Sequence, residues 1–454
     1  MKAQLDARTQ RVPRLLGHGL RFAGGKKPLG ALLQLACWGL LSMITQTAAS
    51  AGLPSQKFPL PQAPYPDMLG YSIALSGDRA IVGAPGGTFA PTSAGAAYVY
   101  VRGDDGWSGE QELLAADGQV ADRLGWAVDM RGDIAVVGAD QRAGTGAAYV
   151  FRRVASGWQQ DALLTAPGAA AQDYFGSAVA TDGDRIVVGA YGVDGVEYEE
   201  GAAFVYVWDG SSWSFEQKLA LPLAAERRVI EGTWLGFSVA IDGDTIVAGA
   251  DGDDEGGDDA GAAYVFTLQS GVWTLQQKLA PSAPYAYRGA GWSVGLHGNL
   301  ALVSTREGSV YSFVRDSAHW TEEGTLTDSA AGPCGEHVSI HSNRAIIGGC
   351  TITVDGASQY PAYVFQREAG AWRAVSKLLS PDSEPYFGAV VDIDDSGIIV
   401  GNGDDDVYGI SMPTVPIVNG VGAGVALLVT SAGLRARYGN AQGRRRRRTP
   451  VNHT

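Results

Sequence analysis

The chain has 454 residues, 63 glycines, only 18% charged residues and a formal net charge of −14, a length that suits several domains or one large repeat array. The charge is segregated: residues 1–50 carry a net +6 and residues 412–454 a net +7, which leaves about −27 on the stretch between. A body that acidic repels phosphate backbones and argues against nucleic acid as a partner.

Residues 1–51 read as a signal peptide. Basic residues through Lys26 and Lys27 precede the apolar run "PLGALLQLACWGLLSMI", and a small-residue stretch ends "TAASA", with Ala49 and Ala51 satisfying the small-x-small rule for cleavage after Ala51. The alternative reading is an uncleaved membrane anchor. Cys37 has Gln34, not leucine, three positions before it, which argues against a lipidation site.

Residues 52–411 are a repeat array. Aligned glycines stand at Gly70, Gly125, Gly176, Gly236, Gly291, Gly335 and Gly388, in units starting near 69, 124, 175, 235, 290, 334 and 387, a period of roughly fifty that fits propeller blades. Each unit opens with an alternating strand such as "FGSAVAT", then a turn such as "DGD", then an apolar strand such as "RIVVGA". Asp182-Gly183 is the expected two-residue turn of this hairpin. A variable loop follows, then a third strand, "GAAYV" or "GAAFV".

The fourth strand carries a tryptophan six residues before a leucine, as in Trp107 and Leu113, Trp158 and Leu164, or Trp273 and Leu279. The even spacing predicts both side chains on one face of an extended strand. Regular placement favours packing between sheets over a carbohydrate-stacking platform. Six units are complete, and the seventh, "FGAVVDIDDSGIIVGNGDDDVYGI" (387–410), holds three strands only. Residues 54–61, "SQKF" in the phase of "EQKL" with Phe58 at the leucine position, are predicted to supply its fourth strand and close the ring. The expected fold is all-β: a seven-bladed propeller of four-stranded antiparallel blades.

In a four-stranded meander the 2–3 and 4–1 loops share one end. The short 1–2 turns barely vary between units, whereas the 2–3 loops differ greatly, and variable loops on a fixed scaffold are where binding resides. Binding candidates on that face are Tyr191, Asp194, Glu197, Glu199, Glu200, Trp234, Tyr285 and Tyr287. The loop of unit four holds Asp251, Asp253, Asp254, Glu255, Asp258 and Asp259. Its start has EF-hand spacing, but Ala262 stands where the bidentate glutamate belongs, so it is not an EF-hand. Two readings stay open: a divalent cation, Ca2+ first, held between this loop and its neighbour, or a solvated acidic rim. Arg131-Gly132-Asp133 sits in a hairpin matching "DGD" elsewhere, which reads as turn chemistry.

His337 and His341 lie on a first strand and resemble a metal pair only if read as helical. Cys334 and Cys350 fall nearly opposite each other across the sixth hairpin, and an exported chain makes a disulfide between them the expectation. No Ser-His-Asp set or nucleophile elbow is visible, so the chain does not read as an enzyme.

Residues 412–454 form the tail. The uncharged stretch 415–434 has the length of a bilayer-spanning helix, and Arg435, Arg437 and five arginines at 444–448 would hold its end in the cytoplasm.

Two resemblances follow. The units resemble FG-GAP repeats, through Phe175-Gly176 with Gly189-Ala190, the full Gly83-Ala84-Pro85 and Phe387-Gly388. That likeness, over about 54–410, implies the seven-bladed propeller that in integrin α chains binds ligands on one face, and it is nearest to exported bacterial proteins with short hairpins. Integrin-type calcium loops lie between the first two strands; here that connection is too short to wrap a cation, so calcium there is not implied. The order "MPTVP", apolar run, arginine cluster resembles the Ile-Pro-Thr-Leu type of C-terminal sorting signal of Gram-negative bacteria, departing from it at Met412 and Val415. Together these imply an exported, cell-surface or envelope-associated module that binds protein or glycan, with the membrane met through the tail. Alternatives are a propeller-based polysaccharide hydrolase or lyase, and a structural envelope protein without a discrete ligand.

Overall fold

A computed structural model describes residues 55–61, 68–86, 93–195, 199–222, 232–282, 288–326, 334–354, 357–382, 385–403 and 405–411. The chain divides into units Met1–Ala51 and Gly52–Thr454, and the described residues all belong to the second. The signal-peptide reading and the tail, 412–454, lie outside the described residues. Among those described, no helix is long and apolar enough to cross a membrane.

Seven four-stranded antiparallel sheets form a β-propeller. Blade 1 is Ile73–Ser76, Arg79–Ala84, Ala96–Gly103 and Gly106–Leu113, and blades 2–6 repeat this order. Blade 6 adds a small hairpin, Ile352–Val354 with Ala357–Gln359, between its second and third strands. Blade 7 contributes Val390–Ile393, Gly397–Gly401 and Val407–Ser411, and its fourth strand is the N-terminal Ser55–Lys57, paired Ser55 to Ile410 and Lys57 to Tyr408. The predicted closure is therefore present, on three paired residues. Lys57 Nζ reaches Asp406 at 2.6 Å, and the Phe58 ring lies 4.7 Å from those of Tyr100 and Trp107 in blade 1.

The unit glycines hold neighbouring blades at backbone contact. Gly176 has φ +93°, and a Cβ there would stand 2.1 Å from the Ala147 carbonyl; a Cβ on Gly138 would stand 2.0 Å from the Gly176 carbonyl. Only glycine lets the main chains meet there, which is the physical content of the recurring Phe-Gly and Gly-Ala pairs. The hairpin turn differs from its prediction by one residue. Asp182 and Arg185 are paired through the backbone, so the two central residues are Gly183-Asp184, with the glycine first.

A larger correction concerns the tryptophans. In each of blades 1–6 the third and fourth strands slip register by one residue, as between Val99 and Tyr100 opposite Gln111 and Gly109. This bulge breaks the period-two alternation. Trp107 consequently packs with Phe58 and Ile399 towards blade 7, while Leu113 packs with Leu124 and Met130 towards blade 2. The two residues lie on opposite faces, so each fourth strand serves both of its interfaces. Packing between sheets is the role of the tryptophans, as expected; Trp107, Trp158, Trp273 and Trp320 are buried.

Candidate functional site

The first strands line a central channel of about 300 Å3 that holds Asp129, Asp182, Asp242, Asp392, Asp394, Arg131, His297 and His341. A constellation of carboxylates, histidines and arginine is the arrangement that would favour hydrolysis, so its geometry matters. Four of the carboxylates cap inner-edge N–H groups of the next blade. Asp129 accepts from Thr181 N at 2.6 Å, Asp392 from Leu75 N at 2.7 Å, Asp394 from Gly77 N at 2.7 Å and Asp242 from Gly298 N at 2.5 Å. An edge strand facing a channel leaves such donors open, and the side chains close them. Burial pushes the Asp129 carboxyl up to about 7, with Asp392 nearby adding to it, and burial pushes Asp392 up to about 6. These acids are built into the blade interfaces.

Of the two histidines of "HVSIH", His341 meets the tilted ring of His297 of blade 5 at 4.5 Å and approaches Asp395 at 3.2 Å, while His337 is exposed and also lines the channel. Among the described residues no group of three or more His, Cys, Asp or Glu is placed to hold a metal ion.

The 2–3 and 4–1 loops do share one end, where parallel bridges such as Gly146 to Phe175 and Gly201 to Leu235 tie them together. Of the candidates on that face, Glu197, Tyr285 and Tyr287 lie outside the described residues. The structure brings the others together. Asp194 accepts from Glu199 N at 3.0 Å, the Trp234 indole N–H donates to Glu199 Oε2 at 2.9 Å, and Glu200 O accepts from Leu235 N at 3.0 Å. Gly252 of the next loop lies against the Trp234 ring. Tyr191 stacks on Tyr174 with ring centroids 4.9 Å apart and meets Phe237 at 5.6 Å.

The acidic loop of blade 4 is largely engaged by cations of the chain itself. Arg306 of blade 5 pairs with Asp251 at 2.6 Å, and Lys278 bridges Asp253 at 2.6 Å and Glu255 at 2.7 Å. Asp253 also accepts from the Tyr264 hydroxyl, and Asp254 accepts from Asp259 N at 2.8 Å. Burial pushes the Asp253 carboxyl up, but Lys278 and Tyr264 outweigh it and hold it below its ordinary value. Asp251 is instead raised to about 6 by burial, which Arg306 offsets only in part. The Cys334–Cys350 disulfide is formed and anchors the same end of blade 6.

The structure adds residues that sequence reasoning passed over. The position directly after the unit glycine is Tyr71, Trp126, Phe237 or Trp292 in blades 1, 2, 4 and 5, and these rings meet across blades: Tyr71 with Trp126 at 4.6 Å, Phe237 with Trp292 at 4.8 Å. Two residues before the glycine stands a left-handed residue: Met68 (φ 63°), Arg123 (59°), Tyr174 (53°), Trp234 (58°) and Tyr386 (60°). Large side chains held in that conformation are costly and mark a backbone over-determined by its surroundings. Arg123 lies 4.7 Å over the Trp126 ring and pairs with buried Asp140 at 3.3 Å. Stacking the units by their glycines would have revealed both positions.

Fold and face define the class: a seven-bladed β-propeller whose varied loops and ring side chains gather at one end. An FG-GAP repeat model matches residues 65–100, 107–151, 158–206 and 230–266, which fall within blades 1–4. Among solved structures, that of the computationally designed Ika8 protein is similar at 16% identity, covering 79% of this chain and 100% of its own, with a TM-score of 0.43. No curated protein matches the chain.

Proposed function

We propose that this propeller is an exported, surface- or envelope-associated binding module that engages protein or glycan through the loop-bearing end. The observation that carries the reading is asymmetry. One end of the blades is closed by near-identical turns, while the other collects the varied loops, the Tyr174–Tyr191 stack and the Trp234–Glu199 pair. A binding surface needs such variation on a rigid frame. The channel acids, bound to backbone N–H groups, support binding over a polysaccharide hydrolase or lyase. Export rests on the basic-apolar-small order of residues 1–51 and on the arginine-ended tail.

Antibody labelling of intact cells expressing the full chain tests the location, and capture of labelled protein by those cells or their matrix tests the binding. Variants in the 2–3 loops, such as Tyr191→Ala and Trp234→Ala, are expected to lose capture while variants in the opposite turns keep it. Equal loss from both ends would sink the assignment of the face, and release of shortened polysaccharide would favour the hydrolase.

A further inference from the structure

We infer that the loop-bearing end carries a saccharide-binding crescent running from blade 1 to blade 5, a site for a neutral oligosaccharide; this deepens the binding reading above and rests on it. The crescent consists of Tyr71, Trp126, Tyr191, Phe237 and Trp292, all half-buried at the inner ends of the blades. Tyr71 and Trp126 are in contact, as are Tyr191, Phe237 and Trp292 in succession. Their planes are tilted by 41°, 52° and 38°, and Tyr191 also stacks on Tyr174.

Each arm of the crescent carries an arginine and an aspartate. Arg123 lies over Trp126 and pairs with Asp140; Arg306 lies 5.2 Å over Trp292 and pairs with Asp251. Both aspartates are almost wholly buried, Asp140 at 3% and Asp251 at 0% exposure, yet each arginine takes only Oδ2. Oδ1 of Asp251 is buried without a side-chain donor. Buried to this degree, the carboxylates fix the two arginines, which are themselves partly exposed over the rings. Beside Arg306 the surface opens into a pocket of about 350 Å3 lined by Arg306, Glu307, Gly308, Glu336 and Gly349, within the range of small-ligand sites.

A pyranose matches this chemistry. Its C–H face lies against aromatic rings, and its rim of hydroxyls needs carboxylate acceptors and guanidinium donors beside those rings. The arginines are already neutralised by their aspartates, and the body carries about −27, so an acidic polymer is disfavoured and a neutral chain is selected.

The test titrates the full chain with cellohexaose, maltohexaose, laminarihexaose, chitohexaose and, as the acidic comparison, hexagalacturonate, read by calorimetry and tryptophan fluorescence. At least one neutral hexasaccharide is expected to bind. Trp126→Ala or Trp292→Ala should weaken it at least about tenfold, and hexagalacturonate should bind at least about tenfold more weakly. The unfolding midpoint of each variant, measured in parallel, separates a ligand contact from a folding defect. The inference is overturned if no neutral hexasaccharide binds at about 10 mM, if the aromatic variants bind like the wild type, or if the acidic sugar binds best. If sugars have no effect but cells still capture the chain through the loop face, the saccharide inference falls and the binding reading stands. Loss of both defeats both.

Discussion

Gln56 Oε1 accepts the backbone N–H of Trp107 at 2.9 Å, joining the N-terminal strand of blade 7 to blade 1. The same latch recurs around the ring. Gln111 grips both N–H and C=O of Trp158 at 2.8 and 2.7 Å, Gln217 those of Trp273, and Gln277 those of Trp320. Each glutamine stands two residues before the leucine or phenylalanine of its strand. The residue before it, the bulged one, receives the indole N–H of the next tryptophan: Glu110 from Trp158, Glu216 from Trp273, Gln276 from Trp320. Blade 2 has Ala162 at the glutamine position.

Gln56→Ala and Gln111→Ala are each expected to lower stability by about 1 kcal/mol, because they remove one and two hydrogen bonds at a blade interface. Ala162→Gln should supply the missing latch to Trp213 and raise stability by about 0.5–1 kcal/mol. Urea unfolding followed by tryptophan fluorescence measures both. A neutral Gln56→Ala would mean that the seam is held by the backbone ladder, Phe58 and Lys57 without the glutamine.

Gly176→Ala should cost about 3 kcal/mol or more, since the new methyl meets the Ala147 carbonyl in a left-handed backbone. Gly77→Ala is the control: its φ is +63° but nothing lies within 4 Å of the added carbon. It should cost about 1 kcal/mol. Thermal melts of the two variants decide this, and equal losses would show that φ alone, without the blade contact, fixes the glycine.

Asp129 ties stability to pH. Its carboxyl titrates near 7 in the folded chain, above the ordinary value it has when unfolded. Across the window between those values the folded chain holds a proton that the unfolded chain has released, so stability falls as pH rises and levels off above about 7. Asp129→Asn should remove about a third of the decline, with Asp392, Asp251 and Asp140 supplying much of the remainder. Denaturation midpoints at several pH values test it; an unchanged slope in the variant would exclude Asp129 as the source.

Reducing the Cys334–Cys350 bond, which closes 16 residues, should lower stability by about 3 kcal/mol. The loss should be local to blade 6, read as faster amide exchange in Val338–His341 and Arg344–Ile347. Uniform exchange across all blades would instead indicate that the bond supports the whole ring.

Repetition made the architecture legible in the sequence. Glycine positions, hairpin turns and the phase of "SQKF" determined seven blades, the strand order and the closing strand, because each of these is set by local backbone chemistry and by the need to pair every edge. The cysteine pair was legible for the same reason, being opposite across one hairpin. The bulge was not: a single extra residue in a regular strand leaves no mark on the spacing of Trp107 and Leu113, yet it turns them to opposite interfaces. Nor could spacing show that Asp251 and Asp253 face Arg306 and Lys278, or that Tyr71 meets Trp126 and Phe237 meets Trp292. Apart from Asp253 to Lys278, 25 positions apart within blade 4, those contacts join residues some fifty positions apart on neighbouring blades. Local chemistry decides how each unit folds, and only the packing of one unit on the next decides which charges are paired inside and which rings meet across the blades.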